Sequence, residues 1–257
     1  LNRIIRRVII LICLAVSAVS HADTTDGLAV WWTFSEGENG LQDRTVSAGI
    51  DTNNTYLTET GGATVEAGKG VLGPVASKFS AWHGGAGNET EYRNYEGITI
   101  WLRYNAAKPG EYGALWRDSG PGGWVCVFVH NANKSKRDVS LILGKENPLG
   151  VIAAKAPQLR TTDTLELACT YDNNTGEARI HVGAGSGDSK VYTEKLKPGL
   201  LSDMGDETSP TVGNGPRHKN DGDHFRSQID ELRIYNRVLT EDEIKAIEPV
   251  ADETSKT

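Results

Sequence analysis

The sequence predicts an all-β protein: a two-sheet antiparallel jelly-roll sandwich with a short C-terminal capping helix. Many short apolar runs are separated by clusters of Gly, Asn, Asp and Pro, 29 glycines are spread over 257 residues, and long helical periods are few. This pattern is typical of a β-sandwich. Long connections such as VGNGPRHKNDGDHF favour a jelly roll over a meander. No internal repeat or linker divides the chain, so a single domain is expected.

The N-terminal segment has the pattern of a secretory signal peptide. Three arginines precede an apolar run of about a dozen residues, and small residues follow up to Ala22. The run is shorter than the roughly 18 to 20 residues that span a bilayer, and no later segment is apolar enough. We therefore predict a secreted or periplasmic protein without a membrane span. The expected organisation is a signal peptide at 1–22, a jelly-roll domain at 23–248 and a flexible tail at 249–257.

The chain after this leader is acidic and holds two cysteines. The leader contains three of the 27 basic residues and none of the 34 acidic ones, so 24 basic residues remain and the formal net charge is −10. A chain of this charge is not expected to bind nucleic acid. Cys126 and Cys169 would reach an oxidising compartment, where they either form a disulfide or remain two buried thiols inside strands.

Seven apolar runs are the predicted strands. In chain order they are LAVWWTF (28–34), ITIWLRY (98–104), GWVCVFVH (123–130), VSLILG (139–144), TLELACTY (164–171), ARIHVG (178–183) and IDELRIY (229–235). Between the fifth and sixth runs, Asp172, Asn173, Asn174 and Gly176 have the chemistry of a hairpin turn. Trp31 and Trp32 are adjacent in the first run, so one of the two is expected to face the core.

A helix is expected directly after the last strand. Thr240 is a preferred N-cap residue, and Glu243, three residues later, completes a capping box. Leu239, just before the cap, can pack on Ile244 as a hydrophobic staple, and Ile247 shares the face of Ile244. The helix is therefore predicted to close one end of the sandwich.

The last predicted strand changes face in its middle. Ile229 lies at an odd position, whereas the apolar residues Leu232 and Ile234 lie at even positions. A β-bulge at Asp230 and Glu231 would absorb this change of register. The carboxylates at such a kink either bind a hard cation or satisfy neighbouring backbone N–H groups.

Aromatic and basic residues on two strands favour sugar binding. If Ile98, Ile100 and Leu102 face the core, alternation turns Trp101 and Arg103 outward. An outward Trp beside an Arg is the chemistry expected for stacking on a sugar face and bonding its hydroxyls, whereas the alternative for each Trp is burial in the core. The predicted ligand-binding residues are Trp101, Arg103, Trp116, Arg117, Trp124 and His130.

The segment IDELRIYNRVLTEDEIKAI resembles the closing signature of laminin-G-like, concanavalin A-like jelly rolls in secreted bacterial proteins. GLAVWWTFSEGENGLQDRTVSAG, GITIWLRY and LELACTYDNNTGEARIHV resemble earlier segments of that family in the same order, so the likeness extends from Gly27 to Ile247. Similar domains often hold a structural calcium ion between the opening Asp turn and the bulged final strand. The resemblance therefore implies Asp43 and Asp230 as calcium ligands.

The expected function is that of a secreted, lectin-like module that binds an extracellular polysaccharide or glycan. No catalytic residues are predicted, because a retaining glycosidase needs two closely spaced carboxylates and TLELA offers only Glu166 on its strand. Two other classes stay open, since the fold hosts many functions: a polysaccharide lyase or glycoside hydrolase, and a protein–protein adhesion module. The sequence does not predict an oligomeric state.

Overall fold

The computed structural model describes all seven predicted strands and the helix. The described residues are 25–34, 41–42, 55–60, 64–66, 69–71, 78–83, 92–106, 113–120, 123–133, 136–144, 151–154, 164–183, 189–204, 211–213 and 227–249. The predicted signal peptide, Asp43 and residues 250–257 of the predicted tail lie outside these ranges.

Within these ranges the chain forms sixteen strands and a short C-terminal helix. The strands are β1 (Leu28–Thr33), β2 (Leu41–Gln42), β3 (Thr55–Thr60), β4 (Thr64–Glu66), β5 (Lys69–Val71), β6 (Lys78–His83), β7 (Gly97–Ala106), β8 (Gly113–Gly120), β9 (Gly123–Asn133), β10 (Lys136–Gly144), β11 (Val151–Ala154), β12 (Thr164–Asp172), β13 (Glu177–Val182), β14 (Lys190–Lys195), β15 (Thr211–Gly213) and β16 (Ser227–Tyr235). The helix α1 is Glu241–Lys245, and a 3-10 turn occupies Tyr92–Asn94.

The strands form two antiparallel sheets, which confirms the predicted all-β sandwich. Sheet A has the order β14-β13-β12-β7-β16-β5-β4, with β1 also paired to β16, and sheet B has the order β11-β10-β9-β8-β15-β6-β3-β2. Each of the seven predicted runs contributes a strand to one of these sheets. Neighbours that are distant in the sequence, such as β7 and β16, show that the connections cross between sheets rather than meander.

The main core lies between the two sheets. Alternate residues of each central strand enter it, as Ile98, Ile100 and Leu102 do on β7 and as Val125 and Val127 do on β9, and all five are fully buried. Because successive side chains of a strand point to opposite faces, the alternation seen in the sequence translates directly into this core.

Cys169 and Trp32 also belong to the main core. Cys169 is fully buried there, and the side chain of Cys126 lies outside what the structure describes, so both alternatives for the two cysteines stay open. Of the two adjacent tryptophans, Trp32 is buried in the core and Trp31 lies on the other face of sheet A, as the sequence predicted.

The hairpin turn between β12 and β13 has the predicted chemistry. The Asp172 carboxylate accepts hydrogen bonds from the backbone N–H groups of Asn174 (2.9 Å) and Thr175 (2.8 Å). Gly176 adopts a φ of 74°, in the left-handed region that favours glycine, and a Cβ there would collide with the carbonyl oxygen of Leu196.

The helix α1 covers the face of sheet A that is turned away from the main core, which we call the outer face of sheet A. Its predicted capping box is present: the Thr240 hydroxyl accepts from Glu243 N at 3.2 Å, and Thr240 N donates to the Glu243 carboxylate at 2.7 Å. The staple residues Leu239 and Ile244 lie together in a second apolar cluster. The centre of sheet A, around Trp101 and Ala168, is therefore buried on both faces.

The predicted bulge is present in β16. Its register with β7 shifts between Ile229 and Glu231. Before the shift, Ile229 pairs with β5; after it, β16 pairs with β1, from Glu231 opposite Thr33 to Tyr235 opposite Leu28. Asp230 thus lies where β16 exchanges one neighbouring strand for another.

Candidate functional site

Cross-strand rows on the outer face of sheet A contain two of the predicted site residues, Trp101 and Arg103. The central row, in register across five strands, is His181, Ala168, Trp101, Arg233 and Trp31. The row beside it contains Glu166, Arg103 and Glu231. Residues opposite each other in antiparallel strands share a face and contact one another, so these rows define the polar and aromatic chemistry of this face.

Trp101 lies on the face that alternation predicted, but its expected exposure to solvent is wrong. The residue is 0% exposed, because Leu239, Ile244 and Ile247 pack over it. Alternation along β7 fixes the face of a residue and says nothing about an element that covers that face. The Trp101 indole is therefore not available to stack on a sugar.

Arg233 is held in a buried polar arrangement beneath the segment that follows α1. Its Nε lies 2.7 Å and its Nη2 2.6 Å from the same Glu231 carboxylate oxygen, Oε1. Trp31 Nε1 donates to that oxygen at 2.6 Å, and Arg233 Nη2 also donates to the Glu248 carbonyl at 2.7 Å. These bonds tie the chain after the helix to sheet A, with side-chain donors on the Glu231 carboxylate.

The Arg233 guanidinium also lies between two indoles. It is 4.4 Å from the centroid of the Trp31 ring and 5.4 Å from that of Trp101. Desolvated cation–π contacts of this kind contribute on the order of 2 kcal/mol. Sequence reasoning missed this arrangement, although Glu231 and Arg233 alternate with Leu232 and thus share one face.

Arg103 is outward-facing and partly accessible, as predicted. Its side chain is 28% exposed, and its Nε lies 3.5 Å from Asp230 Oδ2. It is also directly opposite Glu166 on β12 and Glu231 on β16. Arg103 is therefore surrounded by carboxylates of its own sheet, and its role in ligand binding stays a prediction.

The predicted residues Trp124 and His130 belong to β9 in sheet B. Val125 and Val127 of this strand are in the main core. By the two-residue alternation of a strand, the register positions of Trp124 and His130 fall on the face of sheet B turned away from the core, which we call the outer face of sheet B.

On the neighbouring strand β8, the predicted pair Trp116 and Arg117 is split between the two faces. Arg117 pairs with Cys126, which alternates with the core valines, so its position is on the outer face of sheet B. Trp116 pairs with Val127 and so occupies a core-side position. The six predicted ligand-binding residues therefore do not converge, since Trp101 and Arg103 belong to sheet A.

Asp230, the predicted calcium ligand, is buried at the bulge and only 8% exposed. Its carbonyl oxygen accepts from Phe34 N at 3.4 Å, so the segment that leads from β1 toward Asp43 starts beside it. Within the described ranges no group of three or more His, Cys, Asp or Glu side chains is placed to hold a metal ion. Asp43 itself is outside these ranges, and the calcium site stays a prediction.

Burial under α1 lowers the pKa of His181 from its ordinary value of 6.5. The nearby carboxylate of Glu241 opposes this shift, whereas the positive charges of Arg179 and Lys245 add to it. His181 is 3% exposed, and this burial favours the neutral imidazole.

A hydrogen bond from Arg237 lowers the pKa of Glu243 to about 2, from an ordinary value of 4.5. Burial raises this pKa, and the bonds from the Thr240 backbone and hydroxyl lower it further. The capping box and the Arg237 ion pair, at 2.8 Å, thus share one carboxylate.

In the part of the chain that is described, no helix is long and apolar enough to cross a membrane.

Comparison with known proteins assigns the chain to a family. The family model described as the concanavalin A-like lectin/glucanases superfamily, Laminin_G_3, matches residues 93–245. This match covers more than half of the chain, so the chain belongs to that family. Comparison with curated protein sequences gives no match.

Three similar solved structures share the sandwich. The first is the Trypanosoma rangeli sialidase in complex with 2,3-difluoro-KDN, with 16% identity and a TM-score of 0.58 over 86% of this chain and 32% of that one. The second is a botulinum neurotoxin type C whose cell entry is described as dependent on two ganglioside molecules, with 14% identity and a TM-score of 0.60 over 88% of this chain and 51% of that one. The third is the binding domain of botulinum neurotoxin DC in complex with rat synaptotagmin II, with 15% identity and a TM-score of 0.59 over 85% of this chain and 50% of that one. The chain spans about a third to a half of these proteins. At such identities the likeness shows the fold alone.

Proposed function

We propose that this protein is a secreted module that binds a polysaccharide or glycan on the outer face of sheet B, through Arg117, Trp124 and His130. The observation that carries the proposal is the register of β8 and β9, which gives these three residues positions on one face. The outer face of sheet A is closed by α1 over Trp101. Membership of a lectin/glucanase superfamily, and similar structures described with 2,3-difluoro-KDN or gangliosides, agree with this class of ligand.

The three residues have complementary chemistry for a sugar. Trp124 offers an apolar ring face for the C–H groups of a pyranose, and Arg117 offers planar donors for hydroxyl or carboxylate oxygens. Arg117 on β8 is opposite Cys126 on β9, and Trp124 is two residues from Cys126 along β9. The positions of Arg117 and Trp124 are therefore diagonal neighbours, about 7 Å apart. One sugar residue can contact both side chains at this separation.

The test is retention of the protein on a panel of immobilised polysaccharides, with reducing ends and unsaturated products followed in the same samples. Wild type should be retained on at least one glycan without turnover. Trp124→Ala and Arg117→Ala should each lower retention at least tenfold, whereas Arg179→Ala, at a partly exposed arginine of sheet A, should leave it unchanged. Retention on no glycan would favour an adhesion module, and product formation would favour a lyase or hydrolase.

We also propose that Asp230 and Asp43 hold a structural calcium ion. Support comes from the burial of Asp230 at the bulge and from its own carboxylate and carbonyl oxygens, which are the hard ligands that calcium prefers. Arg103, 3.5 Å from Asp230, competes for the same charge.

A chelator should lower the melting temperature of wild type by several degrees and have no effect on Asp230→Asn. Asp203→Asn, at an exposed carboxylate, is the control and should respond as wild type does.

We propose export on the basis of the N-terminal leader. Expression of the full chain in a secreting bacterial host, followed by fractionation and N-terminal peptide mass spectrometry, should find a chain that begins near Asp23 in the medium or periplasm. Recovery of the uncleaved chain in the cytoplasm would contradict this proposal.

A further inference from the structure

The strand β14 forms one edge of sheet A and is largely exposed. Among the described strands it pairs with β13 alone, and five of its six residues are exposed. Val191 on this strand is 38% exposed and is one of two exposed large apolar residues among the described side chains. An edge strand presents a row of outward N–H and C=O groups that can pair with another strand.

The alternation of backbone groups restricts how β14 can pair with a copy of itself. Along a strand in an antiparallel sheet, residues that hydrogen-bond to one neighbouring strand alternate with residues that hydrogen-bond to the other. Two residues can be opposite each other only if both direct their backbone groups toward the shared strand pair or both direct them away from it. Lys190 can therefore pair with Tyr192 or Glu194 of a second β14, but not with Val191 or Lys195.

Charge then selects one of these registers. With Lys190 of one copy opposite Glu194 of the other, two Lys–Glu pairs form, one on each side of a two-fold axis. In this register Tyr192 is opposite Tyr192 of the second copy, and the exposed Val191 is opposite its Thr193. In the neighbouring registers Lys190 faces Tyr192, or Lys195 faces Val191, and both charge pairs are lost. Opposite charges directly across a strand pair are stabilising, and like charges there are destabilising.

We propose that two copies of this chain associate through their β14 strands, antiparallel about a two-fold axis at Tyr192, so that sheet A continues from one copy into the other. Such an isologous contact is the commonest form of homodimer. Because β14 has six residues, the contact is smaller than the roughly 1,200 Å² of a stable interface. The dimer is therefore expected to be weak and concentration-dependent, with a dissociation constant in the range of about 10 µM to 1 mM.

The test is sedimentation velocity of the signal-free chain over a concentration series that spans about 10 µM to 1 mM. Wild type should shift from monomer to dimer. Lys190→Glu places two carboxylates opposite each other in each charge pair, and Glu194→Lys places two lysines there, so each variant should stay monomeric. A mixture of the two variants should form a heterodimer, because each carboxylate then meets a lysine, and the double variant Lys190→Glu/Glu194→Lys should regain the dimer.

Controls separate this contact from general effects of charge. Lys245→Glu makes the same change on the exposed side of α1 and should leave the dimer intact. Circular dichroism and melting curves of all variants should match wild type, since β14 is at the surface. A wild-type chain that is monomeric throughout the series, a dimer that both single variants retain, or single variants that fail to associate when mixed would each overturn the proposal.

Discussion

Arg233 and Glu231, two residues apart on β16, form a buried ion pair in which two guanidinium nitrogens lie within 2.7 Å of one carboxylate oxygen. Both side chains are less than a tenth exposed. A buried ion pair is tolerated when other hydrogen bonds satisfy its members, and here Trp31 and the Glu248 carbonyl do so. The pair is thus a structural joint between β1, β16 and the segment after α1.

Removal of one member of this pair should be costly. Glu231→Gln leaves the Arg233 cation buried without its counter-charge, and we expect the free energy of unfolding to fall by about 3 to 5 kcal/mol. The double variant Glu231→Leu/Arg233→Met, which leaves no buried charge, should cost less than Glu231→Gln alone. Urea unfolding of the three proteins measures both effects. A loss below about 1 kcal/mol in Glu231→Gln would show that the pair is hydrated in solution.

Trp101→Ala should reduce stability and leave glycan binding intact. The indole is fully buried under Leu239, Ile244 and Ile247, so its removal should cost about 3 to 5 kcal/mol. Retention of the folded fraction on a glycan matrix should equal that of wild type, in contrast to Trp124→Ala. The opposite pattern, normal stability with lost retention, would return Trp101 to the binding site.

The capping carboxylate Glu243 should make stability fall in acid. Its pKa is lowered to about 2 in the folded protein from 4.5, so the folded state favours the ionised form. The resulting stability is present above pH 4.5 and is lost as the pH falls toward 2. Chemical unfolding at several pH values should show Glu243→Gln less stable than wild type at pH 6, with a difference that shrinks across this range. A difference independent of pH would exclude the ionised carboxylate as its source.

His181 should add a second pH dependence near neutrality. Because burial lowers its pKa below 6.5, the unfolded chain binds a proton there before the folded protein does. Stability should therefore be highest above pH 6.5 and decline as the pH falls below it. The same series of unfolding curves on His181→Gln should lack this decline, while the decline due to Glu243 remains. NMR titration of the imidazole resonances measures the folded pKa directly.

The sequence was informative wherever structure is decided locally. The turn at Asp172 and Gly176 and the cap at Thr240 depend on residues a few positions apart, and both were predicted. The bulge was visible in the change of face between Ile229 and Leu232. These features depend on backbone chemistry that neighbouring side chains determine.

Long-range packing was not readable in the same way. Trp101 is covered by Leu239, which lies 138 positions later, and alternation along β7 contains no information about that contact. Likewise, Glu231 and Arg233 have the composition of a solvated strand face, but Trp31 and the segment at Glu248 contact them in the folded protein, and both are buried. The candidate sugar residues failed to converge for the same reason, since sheet membership is set by topology rather than by local pattern.

The pairing of β1 with β16 has a mechanical consequence. Leu28 at the start of β1 is opposite Tyr235 at the end of β16, and Asn236 N donates to Gly27 O at 2.8 Å. The start of β1 and the end of β16 are thus side by side. Tension that pulled these two points apart would load the hydrogen bonds between the strands one after another, as in unzipping, rather than all together in shear. The Arg237–Asp26 ion pair would rupture first. Resistance to stretching along this direction should therefore be low even in a variant with high thermal stability.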